Sequence, residues 1–289
     1  MKAELPNYKI DPIISRALDE DITDKDISTQ VVTVGDEKAT VDLIAKQSGI
    51  MAGLGVFIRV FEFLDKDVEV YAYKQDRQPF KQGETLAQVR GDAGTLLTGE
   101  RIALNLLQRM CGIATATHKM VTLLEGSSIR LMDTRKTTPG LRILEKYAVR
   151  VGGGYNHRYN LSDMIMLKDN HIQAAGSVKQ AIKLAQAQAP FIKKVEVETE
   201  SLEMVKEAIE AKADIIMLDN MNFDQMKEAI DYIDGRAIVE ASGNMTSENI
   251  SQFKTLGIDY ISSGAITHSA GIIDLSMKKF TITNRVDYL

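Results

Sequence analysis

The stretch 193-KKVEVETESLEMVKEAIEAKADIIMLDN-220 sets two short β-rich runs, VEVET and IIMLD, on either side of one helical run. Two strands separated by a helix cannot form a hairpin, so they read as a parallel pair joined by a crossover. The rhythm continues on both sides. IRLMDT (129–134), MIMLKDN (164–170), RAIVEASG (236–243) and IDYISSGA (258–265) are further β-rich runs, and FDQMKEAIDYI (223–233) is a further helical one. In each run the polar or charged residue falls at the C-terminal end, where a β/α barrel assembles its active site. A doubly wound sheet also binds ligands at strand C-termini, but at one crevice. Six strand ends bearing polar chemistry favour the barrel.

The chain before these repeats is organised differently. Residues 8 to 30 read as a short helix, with Ile10, Ile13, Ile14, Ala17 and Leu18 on one face, followed by an acidic loop. Val41, Leu43 and Ala45 alternate as in a strand, GVFIRVFEFL (55–64) is helical, and DVEVYAY (67–73) and LAQVRGDAG (86–94) are strands around a turn at QPFKQGET. This portion is a small mixed sheet with a helix. The longest helical pattern, 98–126, has Thr98 as its expected N-cap, a break expected at Gly112, and the domain boundary within it. The expected divisions are 1–108, 109–270 and 271–289.

Composition limits the function classes. With 289 residues, 44% hydrophobic and 26% charged, the chain is an ordinary globular protein. A net charge of −5 argues against nucleic-acid binding, no apolar run nears the length of a membrane span, and the N-terminal residues lack the apolar core of a signal peptide. One cysteine, Cys111, fits a reducing compartment, so a cytoplasmic location is expected.

Within this acidic chain, residues 133–171 carry seven basic side chains against four acidic ones. Arg142, Lys146 and Arg150 could be one solvated helix face. Arg135, Lys136 and Lys168 instead end strands, and a lysine that follows four apolar residues needs a partner for its charge. His157 and Arg158 follow GGG (152–154), a run that could be a tight turn or could let backbone amides approach an anion. Glu196 and Glu198 share a strand face, and Asp219 ends the next strand; such carboxylates can hold Mg²⁺ beside phosphate oxygens. Ser242, Gly243, Gly264 and Ala265 stand at strand ends that are expected to lead into helices, a phosphate cradle. A lysine such as Lys168 at a barrel strand end also suits a Schiff-base aldolase. RNA binding is disfavoured, because aromatic residues make up only 6% of the chain and the cations sit at strand ends.

The motifs ERIALNLLQRMCGIAT (100–115), DTRKTTPGLRILEKYAV (133–149), GGGYNHRYNLSDMIMLKDNH (152–171), VEVE (195–198), IMLDN (216–220), EASGN (240–244) and GAITHS (264–269) together resemble the quinolinate phosphoribosyltransferase family over nearly the whole chain. The resemblance implies an N-terminal open α/β sandwich and an irregular C-terminal β/α barrel, with the last segment returning to the N-terminal domain. It also implies the conversion of quinolinate and phosphoribosyl pyrophosphate to nicotinate mononucleotide, pyrophosphate and CO₂ with Mg²⁺, a step of NAD biosynthesis. By motif match, Arg135, His157, Arg158 and Lys168 would surround quinolinate, and Arg101 would reach in from a partner subunit of a homodimer or higher homo-oligomer. Lys136, Glu198 and Asp219 would serve phosphoribosyl pyrophosphate, with Glu198 and Asp219 on the metal, and Ser242, Gly243, Gly264 and His268 would lie at the 5-phosphate. The implied catalytic residues are Lys136, Lys168, Glu198 and Asp219. A paralogue associated with molybdate transport resembles the same family, but the complete TRKTTPG and NHRYNL motifs favour the biosynthetic enzyme. Asn244 stands where the family usually has a second glycine, and asparagine tolerates the left-handed backbone that the position implies. Cys111 reads as a small buried residue.

Overall fold

The structure, a computed structural model, describes residues 5–33 and 36–284. The ends of the expected first and last segments, residues 1–4 and 285–289, lie outside the described residues. The chain forms two compact units, one of Met1–His118, Thr138–Gly153 and Ala270–Leu289, the other of Lys119–Thr137 and Gly154–Ser269.

In the first unit, helix α1 (Asn7–Asp21) is the short helix expected at the start of 8–30, and the acidic loop expected after it runs into a second helix, α2 (Ile27–Val32). The Asp26 side chain accepts the Thr29 amide and so starts α2 afresh. Strand β1 (Lys38–Ala45) alternates as its sequence requires, with Ala39, Val41, Leu43 and Ala45 all buried. A two-residue strand β2 (Gly49–Ile50) and helix α3 (Leu54–Leu64) follow, then β3 (Glu69–Ala72), β4 (Pro79–Phe80) and β5 (Thr85–Asp92). The terminal strand Leu275–Ile282 pairs antiparallel with β1, which pairs with β5, which pairs with β3. One face of this sheet buries Val41, Leu43 and Val89, and α3 contributes Phe57 and Phe61 to the core.

The long helix α4 (Ala93–Leu123) corrects two expectations. Its first turn is capped by the Asp92 side chain, which accepts the Thr95 amide, while Thr98 sits inside the helix and donates its hydroxyl to Asp26. Gly112 does not break the helix. A Cβ there would lie 1.9 Å from the Gly271 carbonyl oxygen, so glycine is required by the close approach of a backbone segment.

Helix α5 (Arg142–Val151) belongs to the first unit, although the sequence divisions placed it with the barrel. Its basic residues are not one solvated face: Lys146 is buried, and so is Glu145 beside it. The Glu145 carboxylate accepts both Nε and Nη2 of Arg109 at 3.1 and 3.0 Å, and also the Thr138 amide. Arg109 in turn donates to the Ala270 carbonyl at 2.8 Å.

The second unit is a six-stranded parallel sheet of β6 (Arg130–Met132), β7 (Ile165–Leu167), β8 (Val195–Thr199), β9 (Ile215–Asp219), β10 (Ile238–Ser242) and β11 (Tyr260–Ser262). The spatial order is β6-β11-β10-β9-β8-β7, which places the first two strands at opposite ends of the ladder. Beyond β6 the ladder gains one parallel bridge, Met132 to Tyr155, and among the described residues β6 and β7 share no ladder. Helices α6 (Asp169–Ala175), α7 (Val178–Gln188), α8 (Leu202–Glu210) and α9 (Phe223–Ile233) supply the crossovers from β7 to β10. Ser177, Ser201 and Asn222 cap the last three of these helices through their side chains. The C-terminal ends of all six strands line one cavity, so the sheet is curled around it. No described helix is long and apolar enough to cross a membrane.

Candidate active site

The cavity at the strand ends has a volume of about 400 Å³. Arg135 and Lys136 reach it from the segment after β6, His157 and Arg158 from the loop after GGG, and Lys168 from the end of β7. Facing them are Glu198 on β8, Asp219 on β9, and Glu240 and Ser242 on β10. Eight of the residues singled out in the sequence therefore meet in one concavity.

Local chemistry fixes the basic side. Asp133, fully buried at the end of β6, accepts the His157 amide at 2.9 Å and the Asn156 side-chain amide at 2.6 Å. The glycines before it serve packing and turning. A Cβ on Gly152 would lie 2.5 Å from the Ala114 carbonyl oxygen, and Gly153 has a φ of 94°. The Gly152 and Gly153 amides bond to carbonyls of α5, so the anion-cradle reading of this run gives way to the tight turn. Lys136 is held through its backbone, its amide donating to Thr134 and its carbonyl accepting from Thr267 at 2.8 Å.

Lys168 forms an ion pair with Glu198, and its side chain is 42% exposed. A Schiff-base lysine needs a desolvated or cation-flanked amine, and a carboxylate partner supplies the opposite environment. The aldolase reading falls on that contact. Burial and the charge of Arg135 lower the Arg158 pKa, with Glu196 and Asp163 opposing. Arg158 also donates to the Met164 carbonyl.

His157 is bracketed by two buried carboxylates, Glu196 at 3.1 Å and Glu240 at 3.4 Å from Nε2. Burial works against a charge on the ring, and the hydrogen bonds and charges of Glu196 and Glu240 outweigh it, pushing the pKa up to about 10. Burial likewise raises Glu196, against the pull of His157. The Nδ1 atom, however, accepts the Arg158 amide at 2.8 Å, which a doubly protonated ring could not do. With Nδ1 accepting that amide, the proton that faces Glu196 and Glu240 is the one on Nε2. Glu240 is absent from the sequence reading. A glutamate inside the apolar run AIVEAS was the available signal, since a buried charge demands a partner.

On the acidic side, Glu198, Glu200 and Asp219 each offer an oxygen within 4.8 Å of the others. That is a hard donor set suited to Mg²⁺. Asn220, at φ 55°, donates its side-chain amide to Asp219 at 2.7 Å. Gly243 has a φ of 93°, and a Cβ there would lie 2.3 Å from Asn220 Oδ1. Asn244 follows at φ 51°, in the left-handed region that its residue type tolerates. Gly264 allows Lys136 and His268 to converge: a Cβ would meet the His268 ring at 2.8 Å and Lys136 Cδ at 3.0 Å. Neither glycine turn leads straight into an α-helix. A 3₁₀ helix begins only at Ile250 after β10, and residues 264–269 form turns, so the expected helix-terminus cradle is replaced by loop backbone.

Two expected features lie elsewhere. Arg101 is exposed on α4 in the first unit and borders a smaller cavity with Ala17, Glu20, Asp21 and Asn105. Cys111 is fully buried, and burial pushes its thiol up to about 12, which removes it as a nucleophile.

Comparison with known proteins adds an independent line. Residues 26–111 match the N-terminal domain, and residues 113–278 the C-terminal domain, of quinolinate phosphoribosyl transferase. The probable nicotinate-nucleotide pyrophosphorylase [carboxylating] of Bacillus subtilis (strain 168) is 45% identical over 258 residues, 89% of each chain. The quinolinate phosphoribosyltransferase [decarboxylating] 2 of Nicotiana glauca is 38% identical, covering 94% of this chain and 83% of its own. The crystal structure of NadC from Streptococcus pyogenes superposes with a TM-score of 0.94 at 49% identity, covering 98% of this chain and all of that one. With the two domains matched in order over residues 26–111 and 113–278, the chain belongs to the quinolinate phosphoribosyltransferase family.

Proposed function

We propose that this chain joins quinolinate to the ribose of phosphoribosyl pyrophosphate and releases pyrophosphate and CO₂, giving nicotinate mononucleotide for NAD biosynthesis. The observation that carries the reading is the division of one cavity into a basic side, Arg135, His157, Arg158 and Lys168, and a carboxylate side, Glu198 and Asp219. A pyridine dicarboxylate fits the first and a metal-bound sugar pyrophosphate the second.

The basic side orients the ring so that its nitrogen faces the ribose C1. The nitrogen lone pair forms the new bond, the bond from C1 to the pyrophosphate oxygen breaks, and its electron pair leaves with pyrophosphate. Lys136, which lines the cavity, offsets that growing charge. Glu198 and Asp219, with Glu200 nearby, would hold Mg²⁺, which would supply further positive charge to the pyrophosphate. No base is needed, because the ring nitrogen carries its own lone pair. The bond from C2 to its carboxylate then breaks, the electron pair stays on C2 beside the cationic nitrogen, and a proton replaces CO₂. Ser242, Gly243, Gly264 and His268 hold or border the 5-phosphate.

The test is direct. Protein supplied with phosphoribosyl pyrophosphate and Mg²⁺ releases labelled CO₂ from quinolinate carrying the label in its 2-carboxylate, and forms no mononucleotide from nicotinate. Equal use of nicotinate would reject the substrate.

The same reading makes Arg101 a residue of the neighbouring subunit's site in a homodimer or larger homo-oligomer. Arg101→Ala and Lys136→Ala proteins, each weakly active alone, regain activity when their subunits are mixed, up to about a quarter of wild type for randomly formed dimers. Failure of the mixture to exceed its parents, with subunit exchange verified by mass, would confine Arg101 to its own chain.

A further inference from the structure

Two buried carboxylates, Glu196 and Glu240, meet the half-buried His157 at the wall of the cavity, and the assignments above use only the histidine. Glu196 is wholly buried on β8, and neither of its carboxylate oxygens has a hydrogen bond of good geometry; the same holds for Glu240 Oε1. Both carboxylates nevertheless point at His157 Nε2, at 3.1 and 3.4 Å. Glu196 does not line the cavity, whereas His157 does.

A histidine and two carboxylates also make the donor set of a divalent metal site. The other ring nitrogen argues against that use. A metal-bound histidine donates its second N–H to a neighbour, but Nδ1 here accepts the Arg158 amide. The proton therefore sits on Nε2 and occupies the position that a metal would need.

We propose that Glu196, with Glu240 beside it, is a positioning residue for quinolinate, acting through His157 by holding its Nε2 proton. The inference rests on the reading of the cavity as the quinolinate site. Rotation of the ring about its bond to the chain is stopped from two sides: the Arg158 amide fixes Nδ1, and the carboxylates fix Nε2. The ring thus meets one acid group of the ligand at a set angle, without the entropy cost of being ordered on binding. Asp133 completes the arrangement by holding the His157 backbone amide.

The test has two arms. In the first, the long-range ¹H–¹⁵N spectrum of histidine-labelled protein is recorded; the chain has four histidines, and His157→Gln identifies the signal. The ring gives the pattern of a proton fixed on Nε2 in wild type and in Glu196→Gln, whose amide oxygen still accepts. In Glu196→Ala it gives an averaged pattern. In the second arm, calorimetry follows quinolinate binding. Loss of the charged contact on Nε2 weakens binding about tenfold in Glu196→Ala, while Glu196→Gln restores most of it and phosphoribosyl pyrophosphate binding is unchanged. Adding Glu196→Ala to His157→Ala costs no further affinity, because the effect passes through the ring.

A His157 pattern untouched by Glu196→Ala, losses that simply add in the double variant, or stoichiometric Zn²⁺ binding abolished by Glu196→Ala would each overturn the proposal. The arms separate the two hypotheses. If wild type binds no quinolinate, the proposed function fails, and the ring spectrum still decides whether Glu196 holds His157.

Discussion

Lys136→Ala lowers kcat by on the order of 10²–10³, about 3–4 kcal/mol of transition-state stabilisation, and leaves quinolinate affinity within about threefold. The magnitude follows from where charge develops. Pyrophosphate gains a negative charge only as its bond to C1 breaks, so a fixed cation that meets it there contributes more to the transition state than to the bound substrate. Lys136 is set for that role by its backbone, which Thr134 and Thr267 hold on either side, and by Gly264, whose missing Cβ leaves room for the lysine stem. Steady-state and single-turnover rates check the prediction. A Lys136→Ala enzyme that raises the KM for quinolinate while keeping kcat would move Lys136 to the pyridine side of the cavity.

The second large effect is on stability. Arg109→Ala strands the Glu145 carboxylate, which is fully buried in the first unit and takes two hydrogen bonds from that guanidinium. Breaking one side of a buried pair costs about 3–5 kcal/mol. At roughly 2–4 °C per kcal/mol for a chain of this size class, melting should fall by about 6–20 °C. The paired replacement Arg109→Met with Glu145→Leu should recover a large part of the loss, because no uncompensated charge then remains. Differential scanning calorimetry of the three proteins decides. A single variant that melts with wild type would mean that the pair contributes nothing to the fold.

The parallel unit was legible because strand and helix periods differ. All six β-rich runs of the sequence are strands of the sheet, and Arg135, Lys136, Lys168, Glu198, Asp219 and Ser242 at or just past their ends reach the cavity. The first unit was legible strand by strand, since Ala39, Val41, Leu43 and Ala45 bury in strict alternation. What the pattern hid was tertiary. The reason for Gly112 lies in Gly271, far along the chain, so local propensity misread it as a helix break. Thr98 has the right side chain for a cap, but Asp92 has it six residues earlier, and nothing local ranks the two. The basic residues of α5 looked like a solvated face because the partner that buries Glu145 is Arg109, on another helix.

Within the site, the visible residues were those that end strands. Glu196 sits one layer deeper and Glu240 at the cavity wall, and their part depends on a histidine from another loop that the sequence does not place beside them. Period two put Glu196 and Glu198 on one face correctly, but it could not tell that only Glu198 reaches the open cavity. The glycines of GGG illustrate the opposite error: a motif that suggested ligand binding serves the turn and the close packing of Gly152 on Ala114.

The most direct measurement is a crystal structure of the protein with quinolinate bound. The strand-end cavity predicts a flat ring with both acid groups contacted by Arg135, His157, Arg158 and Lys168, and its nitrogen turned toward the side of Glu198 and Asp219. A ring bound outside that cavity, or one whose carboxylates leave those four side chains untouched, would contradict it.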